Sequence, residues 1–129
     1  LRRVVATVMR HAKVGSWDIA VVLCSDRFIG QLNETYRANA GPTDVLSFPA
    51  EDETASGDIV ISLDSVYRNA QAFDVPPDEE LIRVAVHGAL HLAGYTHDGV
   101  ALGDADSLDN PMLQLQEKLV TLMMEEQSL

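Results

Sequence analysis

The sequence predicts a single domain that combines helices with short strands and is organised around one buried helix. Residues 81–93 are apolar on nearly every side of a helix, and a helix without a polar face belongs in the centre of a domain. Two β-branched apolar runs, at 18–24 and 58–62, have the length and composition of strands. The 129 residues suffice for one hydrophobic core, so residues 1–129 are expected to form one domain.

The first seventeen residues are rich in arginine and contain no acidic residue. That composition also describes a transit peptide, and this alternative stays open. A first helix is favoured because apolar residues recur at helical spacing. These residues are Val4, Val5, Val8, Met9 and Ala12. Gly15 and Ser16 then interrupt the pattern, so the helix is expected to end before them.

A strand and a helix are predicted next. Residues 18–24 read as a buried strand because they are mostly β-branched and apolar. Ser25 or Asp26 then caps a helix over 27–38, since short polar side chains accept hydrogen bonds from the first turn. The residues expected to face inward on this helix are Ile29, Leu32 and Tyr36.

Two further strands and a helix follow. Residues 45–48 read as a short strand that Pro49 stops, and proline confines such a strand to the edge of a sheet. Residues 51–56 are expected to form an acidic, solvated loop. Residues 58–62 are predicted as a third strand, and residues 63–73 as the helix after it.

The central helix has a clear start signal. Pro76 and Pro77 are followed by three acidic residues, which complement the positive end of a helix dipole. After this helix, residues 98–110 are expected to form an acidic loop. Asn110 then caps a last helix with Pro111 at its first position. Its expected inward residues are Met112, Leu115, Leu119 and Leu122.

Composition narrows the possible environments and partners. The lone cysteine, Cys24, lies in an apolar run and is expected to be a small core residue, so a reducing compartment is favoured. The longest apolar run, 19–24, is far below the roughly 20 residues that span a bilayer, and no membrane partner is expected. The net charge is −11, which by itself argues against a nucleic-acid partner. However, residues 1–37 carry six cationic and three acidic side chains, which permits a local basic face.

Three histidines define the candidate site. His87 and His91 lie four residues apart on the central helix, and such positions share one face of a helix. Gly94 can adopt the left-handed conformation that ends a helix, so the chain can return His97 to the same point. Three imidazoles with one open position form a common catalytic zinc site. We therefore expect one divalent ion per chain, zinc or nickel, since imidazole suits these ions better than magnesium or calcium.

A pair of buried histidines that only packs in the core is the alternative interpretation. Metal binding is favoured because three of the four histidines of the chain fall within eleven residues. The spacing is that of the metzincin proteases, H-E-x-x-H-x-x-G-x-x-H, and in this sense the site is zincin-like. Gly88 stands where such a protease carries its general-base glutamate. Peptide hydrolysis is therefore not expected.

Four blocks of sequence stand out, in order along the chain. They are LNETYR at 32–37, GPTDVLSFP at 41–49, GDIVI at 57–61 and HGALHLAGYTH at 87–97. Through these blocks nearly all of the chain resembles the YbeY family of bacterial rRNA maturation factors and endoribonucleases. The second and fourth blocks together are highly specific, whereas the third alone is weak.

The resemblance implies an α+β fold with a small mixed sheet packed on helices. It also implies a zinc ion bound by His87, His91 and His97, with Arg37 facing the cleft and required for action on RNA. The chain departs from the family pattern at Thr96, where the family has an aspartate. A threonine lacks the charge of that aspartate, and Asp98 is the next carboxylate along the chain.

Two functions follow as hypotheses. The first is a metal-dependent, single-strand endoribonuclease in rRNA maturation, with His87 and Arg37 as catalytic residues and Arg37 also binding the substrate. A zinc-bound water is acidic enough to attack without a carboxylate base, and an arginine offers two donors to a phosphate. The second is a ribosome-assembly factor that binds RNA and in which the metal is structural. Both hypotheses imply rRNA, the small ribosomal subunit and its assembly factors as partners, and neither implies DNA. The expected location is the cytoplasm, or an organelle matrix if the first segment is a transit peptide.

Overall fold

The computed structural model describes residues 1–50, 56–95 and 110–127. Within these ranges the chain forms five helices and three strands. In chain order they are α1 (Arg2–His11), β1 (Asp18–Cys24), α2 (Asp26–Arg37), β2 (Val45–Pro49), β3 (Ser56–Ser62), α3 (Leu63–Phe73), α4 (Pro77–Leu92) and α5 (Pro111–Gln127). Every helix and strand predicted from the sequence is present, with boundaries that differ by one or two residues. The expected acidic loops at 51–56 and 98–110 lie almost entirely outside the described residues.

The three strands form a mixed sheet in the order β1-β3-β2. β1 runs parallel to β3, and Val21 pairs with Ile59. β2 runs antiparallel to β3 on the other side, and Ser47 pairs with the same Ile59. The α+β class and the edge position of β2 are therefore confirmed.

β1 is not the buried strand that its composition predicts. Val22 and Leu23 keep 40% and 46% of their surface exposed. β1 lies at the end of the described sheet, and α2 packs over β2 and β3, away from it. A β-branched run predicts an extended conformation, but burial depends on what covers the strand, which composition does not reveal.

α4 is the centre of the domain, as predicted. It contacts α1, α3 and α5 on its sides and lies across β2 and β3. From Val84 to Leu90 every residue of α4 is buried. The completely buried Val8, Met9, Ile59, Ile61 and Leu119 share one core with it. No helix in the described part of the chain has the length and apolarity to cross a membrane.

The opposite face of the sheet carries a second, smaller core. Ile29 of α2 packs there on Leu46 and Val60, with Cys24 half-buried at its margin. Burial raises the pKa of the Cys24 thiol, which keeps it in the less reactive protonated form. Because this core is small, only Ile29 and Asn33 of α2 are buried.

Two residues predicted to face inward are exposed. Tyr36 retains 66% of its surface because the inward face of α2 ends at the buried Asn33. Leu122 is exposed because the buried positions of α5 follow a different stripe. These positions are Met112, Leu113, Gln116, Leu119, Val120 and Met123. Both errors arose from assigning apolar residues to a helix face without knowing the direction of the neighbouring elements.

α4 approaches the sheet most closely at Gly88. A Cβ atom at this position would lie 2.8 Å from Cγ2 of Ile59 and 3.2 Å from Oγ of Ser47. The Ser47 hydroxyl also donates a hydrogen bond to the Gly88 carbonyl, at 3.3 Å. The absence of a side chain at position 88 therefore determines how near α4 lies to β2 and β3.

Asp26 ties the start of α2 to the start of α3. Its Oδ1 accepts hydrogen bonds from the hydroxyls of Ser62, at 2.7 Å, and Ser65, at 2.6 Å. Its Oδ2 accepts one from the guanidinium of Arg68. These bonds, the one from Arg68 first, hold the pKa of Asp26 well below its ordinary value.

Replacing Asp26 by asparagine is expected to lower the free energy of unfolding by about 1–2 kcal/mol at neutral pH, because hydrogen bonds to a charged acceptor are lost at a partly exposed site. Because the pKa of Asp26 is lower in the folded state, its ionised carboxylate stabilises the fold at any pH above the unfolded-state pKa. This stabilisation is lost progressively as the pH falls below about 4. The difference between wild type and Asp26→Asn should therefore narrow between pH 7 and pH 3 in urea unfolding. Asp58→Asn, at an exposed carboxylate of β3, is the control. A difference that widened at low pH would contradict the assignment.

Gly88→Ala is expected to destabilise the protein by about 1–3 kcal/mol, because the new methyl group overpacks the interface between α4 and the sheet. The cost should shrink in the Ile59→Ala background, where the nearest side-chain atom is gone. Gly30→Ala is the control inside α2, since its added Cβ would meet nothing closer than 3.6 Å. The control should be neutral or stabilising by up to about 1 kcal/mol. Equal effects at both glycines in thermal unfolding would show that close packing at Gly88 is unimportant.

Candidate metal centre

The end of α4 brings two of the predicted ligands together. The imidazole rings of His87 and His91 have centroids 4.7 Å apart and stand nearly perpendicular, at 79°. His87 is buried and His91 is half-buried, so the pair lies between the core and the surface. The spacing of four residues places both rings side by side, and their role as metal ligands stays a prediction.

α4 ends as its sequence predicts. Gly94 has a φ of +102°, a conformation that L side chains rarely adopt. The N–H of Gly94 donates to the His91 carbonyl and the N–H of Tyr95 to the Leu90 carbonyl, both at 3.0 Å. This pair of bonds is the Schellman motif, which turns the chain away from the helix axis immediately after the histidine pair.

The third predicted ligand, His97, lies outside the described residues, and so do Thr96 and Asp98. Among the residues that are described, no three histidine, cysteine or acidic side chains form a group suited to a metal ion. Coordination by His97 therefore stays a prediction. Only Thr96 separates His97 from Tyr95, which is the last described residue before the gap.

His87 has a hydrogen-bond partner that the sequence analysis did not anticipate. Its Nδ1 lies 2.7 Å from Oε1 of Gln116 on α5, and both side chains are buried. A polar residue on the buried stripe of an amphipathic helix was the signal available in the sequence. Gln116 follows Met112 by four residues and precedes Leu119 by three.

An ionic network borders this hydrogen bond. The guanidinium of Arg83 donates three bonds to Glu117, two of them at 2.9 Å, and one at 2.9 Å to the buried Glu80. Burial raises the pKa of Glu80, whereas in Glu117 the bonds from Arg83 and Gln116 outweigh burial and lower the pKa. The pKa of Arg83 is raised by the same bonds, that to Glu117 first. The network therefore fixes the charge state of Glu117 and Arg83 at neutral pH.

A cleft of about 680 Å³ opens beside His87, between β2, α3, α4 and α5. Apolar side chains of these elements form most of its wall. Its polar lining includes Asp44 and Asn69, in addition to Gln116 and the ionic network. Nδ2 of Asn69 donates to Oδ2 of Asp44 at 3.3 Å, and burial raises the pKa of Asp44.

Arg37 lies at the end of α2, next to the strand that α4 crosses. Its guanidinium donates a hydrogen bond to the Ser47 carbonyl and sits 5.3 Å from the centroid of the Phe48 ring. Ser47 in turn donates to Gly88, the residue after His87. Arg37 does not line the cleft beside His87; it is exposed, on the β2 side of the histidine pair. The structure thus connects Arg37 to the site through one residue of β2.

The histidine pair fits a transition metal. Nδ1 of His87 lies within hydrogen-bond distance of the carbonyl oxygen of Gln116, and a neutral imidazole that carries its proton on Nδ1 has its metal-binding lone pair on Nε2. A ligating histidine that donates its other ring N–H to an oxygen is the usual arrangement in metalloproteins. The residues present at the end of α4 are therefore suited to hold such an ion.

Comparison with known proteins agrees with this architecture. The family model described as endoribonuclease YbeY matches residues 1–123. A protein of Treponema denticola named endoribonuclease YbeY is 42% identical over 125 residues, covering 90% of this chain and 77% of the relative. A Borrelia hermsii protein of the same name is 34% identical over 122 residues, covering 90% of this chain and 79% of the relative.

A solved structure has the same fold. The solution structure of protein TM1509 from Thermotoga maritima superposes with a TM-score of 0.69 at 31% identity, covering 98% of this chain and 81% of that one. The family match, the identity to the relatives and the shared fold all agree with the resemblance that the sequence motifs indicate. The chain belongs to the endoribonuclease YbeY family.

Proposed function

We propose that this chain is a zinc-dependent endoribonuclease that cleaves single-stranded RNA during rRNA maturation. The observation that carries this proposal is the convergence of His87 and His91 at the end of α4, with His87 held by a buried hydrogen bond. The relatives named endoribonucleases supply the class of substrate. The proposed partners are rRNA, the small ribosomal subunit and its assembly factors, in the cytoplasm.

In this proposal His87, His91 and His97 hold one zinc ion, and nickel is the alternative. When bound, such an ion lowers the pKa of a coordinated water molecule to about 7 and polarises a phosphoryl oxygen. The protein contributes a rigid support, because both described histidines project from the most buried helix of the domain. Rigid support matters because a ligand pair that moved would lose its orientation towards the substrate.

Position 88 supports a nuclease over a peptidase. In a metalloprotease of this spacing, the residue after the first histidine is the glutamate that takes a proton from the attacking water. Here a Cβ at position 88 would point at Ile59 and Ser47 of the sheet. A glutamate at this position would therefore require the Ile59 side chain to shift, which disfavours the protease arrangement.

Arg37 is the proposed phosphate ligand and substrate-binding residue. Its guanidinium is held by the Ser47 carbonyl and the Phe48 ring, which limits the directions in which the planar fork can point. A guanidinium offers parallel donors that match two phosphate oxygens and stabilise charge that develops on a phosphorane. The geometry thus suits a role in the transition state as well as in binding.

The surroundings of Arg37 favour an unpaired strand as substrate. The exposed ring of Tyr36 lies 5.7 Å from the Phe48 ring at an angle of 75°. An exposed aromatic face next to an arginine can stack a base, and only bases that have left a duplex present their faces in this way. This pair of aromatic rings supports the choice of single-stranded RNA.

A non-catalytic assembly factor with a structural metal is the second candidate. It is favoured by the position of the histidine pair, which would tie the buried end of α4 to the segment that follows. In that case removal of the metal would lower stability without affecting any turnover. The two candidates therefore differ in what the metal does, and the variants below separate them.

His91→Ala is expected to remove most of the bound zinc and to lower cleavage of a single-stranded RNA by about a hundredfold or more. A metal ion contributes several kcal/mol to charge stabilisation, and each 1.4 kcal/mol is a factor of ten in rate. His11→Ala, at the exposed end of α1, is the control and should change neither property. The measurement is metal content by mass spectrometry together with cleavage rate for the same preparations. Undiminished cleavage by metal-depleted His91→Ala would refute the proposal.

Arg37→Lys is expected to lower the cleavage rate at saturating RNA at least tenfold while weakening RNA binding much less. Lysine keeps the positive charge but loses the planar fork that two phosphate oxygens require. Arg27→Lys, at an exposed arginine on the same helix, is the matched control. The measurement is cleavage rate and RNA affinity across a salt series.

An assembly factor predicts a different result for the same substitution. A passive phosphate contact would alter affinity alone, with a strong dependence on salt. Equal cleavage rates at saturation for wild type and Arg37→Lys would remove Arg37 from the mechanism. It would then remain a binding residue only.

A further inference from the structure

We propose that Gln116 is a positioning residue that selects the tautomer of His87 in which Nε2 can bind a metal, and that the ion pair of Arg83 and Glu117 sets the orientation of Gln116. The inference rests on the proposed metal centre, although its first readout needs no metal. It arises from a continuous series of hydrogen bonds that runs from the surface of α4 through α5 to the histidine pair.

The direction of each hydrogen bond in this series follows from chemistry. Arg83 is always protonated and can only donate. Glu117, whose pKa is lowered, is ionised at neutral pH and can only accept. Glu117 receives three bonds from Arg83 and a further one, at 3.1 Å, from Nε2 of Gln116. The amide nitrogen of Gln116 therefore faces Glu117.

The remaining atom of the amide decides the state of His87. With its nitrogen turned to Glu117, Gln116 presents the carbonyl oxygen Oε1 to Nδ1 of His87 at 2.7 Å. A carbonyl oxygen can only accept, so Nδ1 must carry the proton. In a neutral imidazole the lone pair then lies on Nε2, and a metal ligated by His87 would bind at that nitrogen.

The opposite amide orientation is excluded by the ion pair. Rotating the amide by 180° would place Oε1 against the Glu117 carboxylate, and two acceptors would then face each other without a proton between them. It would also present an N–H group to Nδ1 and move the imidazole proton to Nε2. Glu117 thus acts on His87 without touching it.

Burial makes this selection effective. Gln116 and His87 retain only 3% and 9% of their surface, so water competes little with their hydrogen bond. Arg83 is itself anchored by the buried Glu80 at 2.9 Å and by Glu79 at 3.3 Å. The series therefore begins at a side chain that three carboxylates hold in place, and its polarity cannot reverse by a single rotation.

The test is to determine the tautomer of His87 in the full chain from the NMR chemical shifts of the imidazole nitrogens. The protein is kept free of metal and at about pH 8, where an ordinary histidine is neutral. Wild type should show the proton on Nδ1. Gln116→Leu removes the acceptor and should move a large fraction of the proton to Nε2. The same variant should bind zinc 10–100-fold more weakly in competition with a chromophoric chelator, which is the usual effect of losing such a partner.

Conservative and control variants separate positioning from packing. Gln116→Glu keeps an acceptor for Nδ1, so it should retain the tautomer and bind zinc within about threefold of wild type even where its melting temperature falls. If Gln116→Leu does not fold, Glu117→Gln is the substitute, since Glu117 has a half-exposed side chain. This variant permits both orientations of the Gln116 amide and should give a mixture of His87 tautomers. Gln71→Leu on the exposed surface of α3 should change nothing.

A proton on Nε2 in the wild-type protein would overturn the inference. A zinc affinity that follows the melting temperature across the variants would also overturn it. In that case Gln116→Glu would bind zinc as weakly as Gln116→Leu, which is the pattern that a role in packing alone predicts. A wild-type protein with the proton on Nδ1 but no affinity for zinc would support the selection of the tautomer. That result would overturn the proposed metal-dependent function instead.

Discussion

The close approach of α4 to the sheet at Gly88 is the constraint on which the rest of the structure depends. Any side chain there would collide with Ile59 or Ser47, so a glycine is what lets the helix lie directly on β2 and β3. The next residues on either side of this contact form the candidate site. His87 turns towards α5, and Ser47 connects the helix to Arg37 on the other side. The packing of the core thereby determines the relative positions of the residues proposed to act on RNA.

A second feature is the polarity of the groups around His87. The core of the domain is apolar, yet the wall of α4 that meets α5 carries a series of charged and amide side chains in full hydrogen-bonded contact. Among the described residues, no buried side-chain nitrogen or oxygen lacks a partner. Buried polar groups are tolerated only when they are satisfied in this way, and a satisfied network orients its members. Such a network is better suited to hold one histidine in one state than an apolar pocket would be.

The sequence predicted the helices and strands well because local signals define them. Ser25 and Asn110 accept hydrogen bonds from the first turns of α2 and α5, and Gly94 ends α4 in a left-handed conformation, as their residue types indicate. The pairing of two histidines followed from helical spacing alone. Burial of β1 and the directions of Tyr36 and Leu122 were wrong, because they depend on which elements cover them. The bond from Gln116 to His87 joins residues 29 positions apart, and no local pattern reports such a contact.

The central claim is that the histidines of α4 hold an ion on which RNA cleavage depends. Metal-free protein, prepared with a chelator and freed of contaminating nucleases, would be titrated with zinc while bound metal and cleavage of single-stranded RNA are measured in the same samples. The account predicts cleavage that rises in proportion to bound zinc and levels off at one ion per chain. Full cleavage by the metal-free protein, or zinc bound at one ion per chain with no cleavage at any ratio, would contradict it.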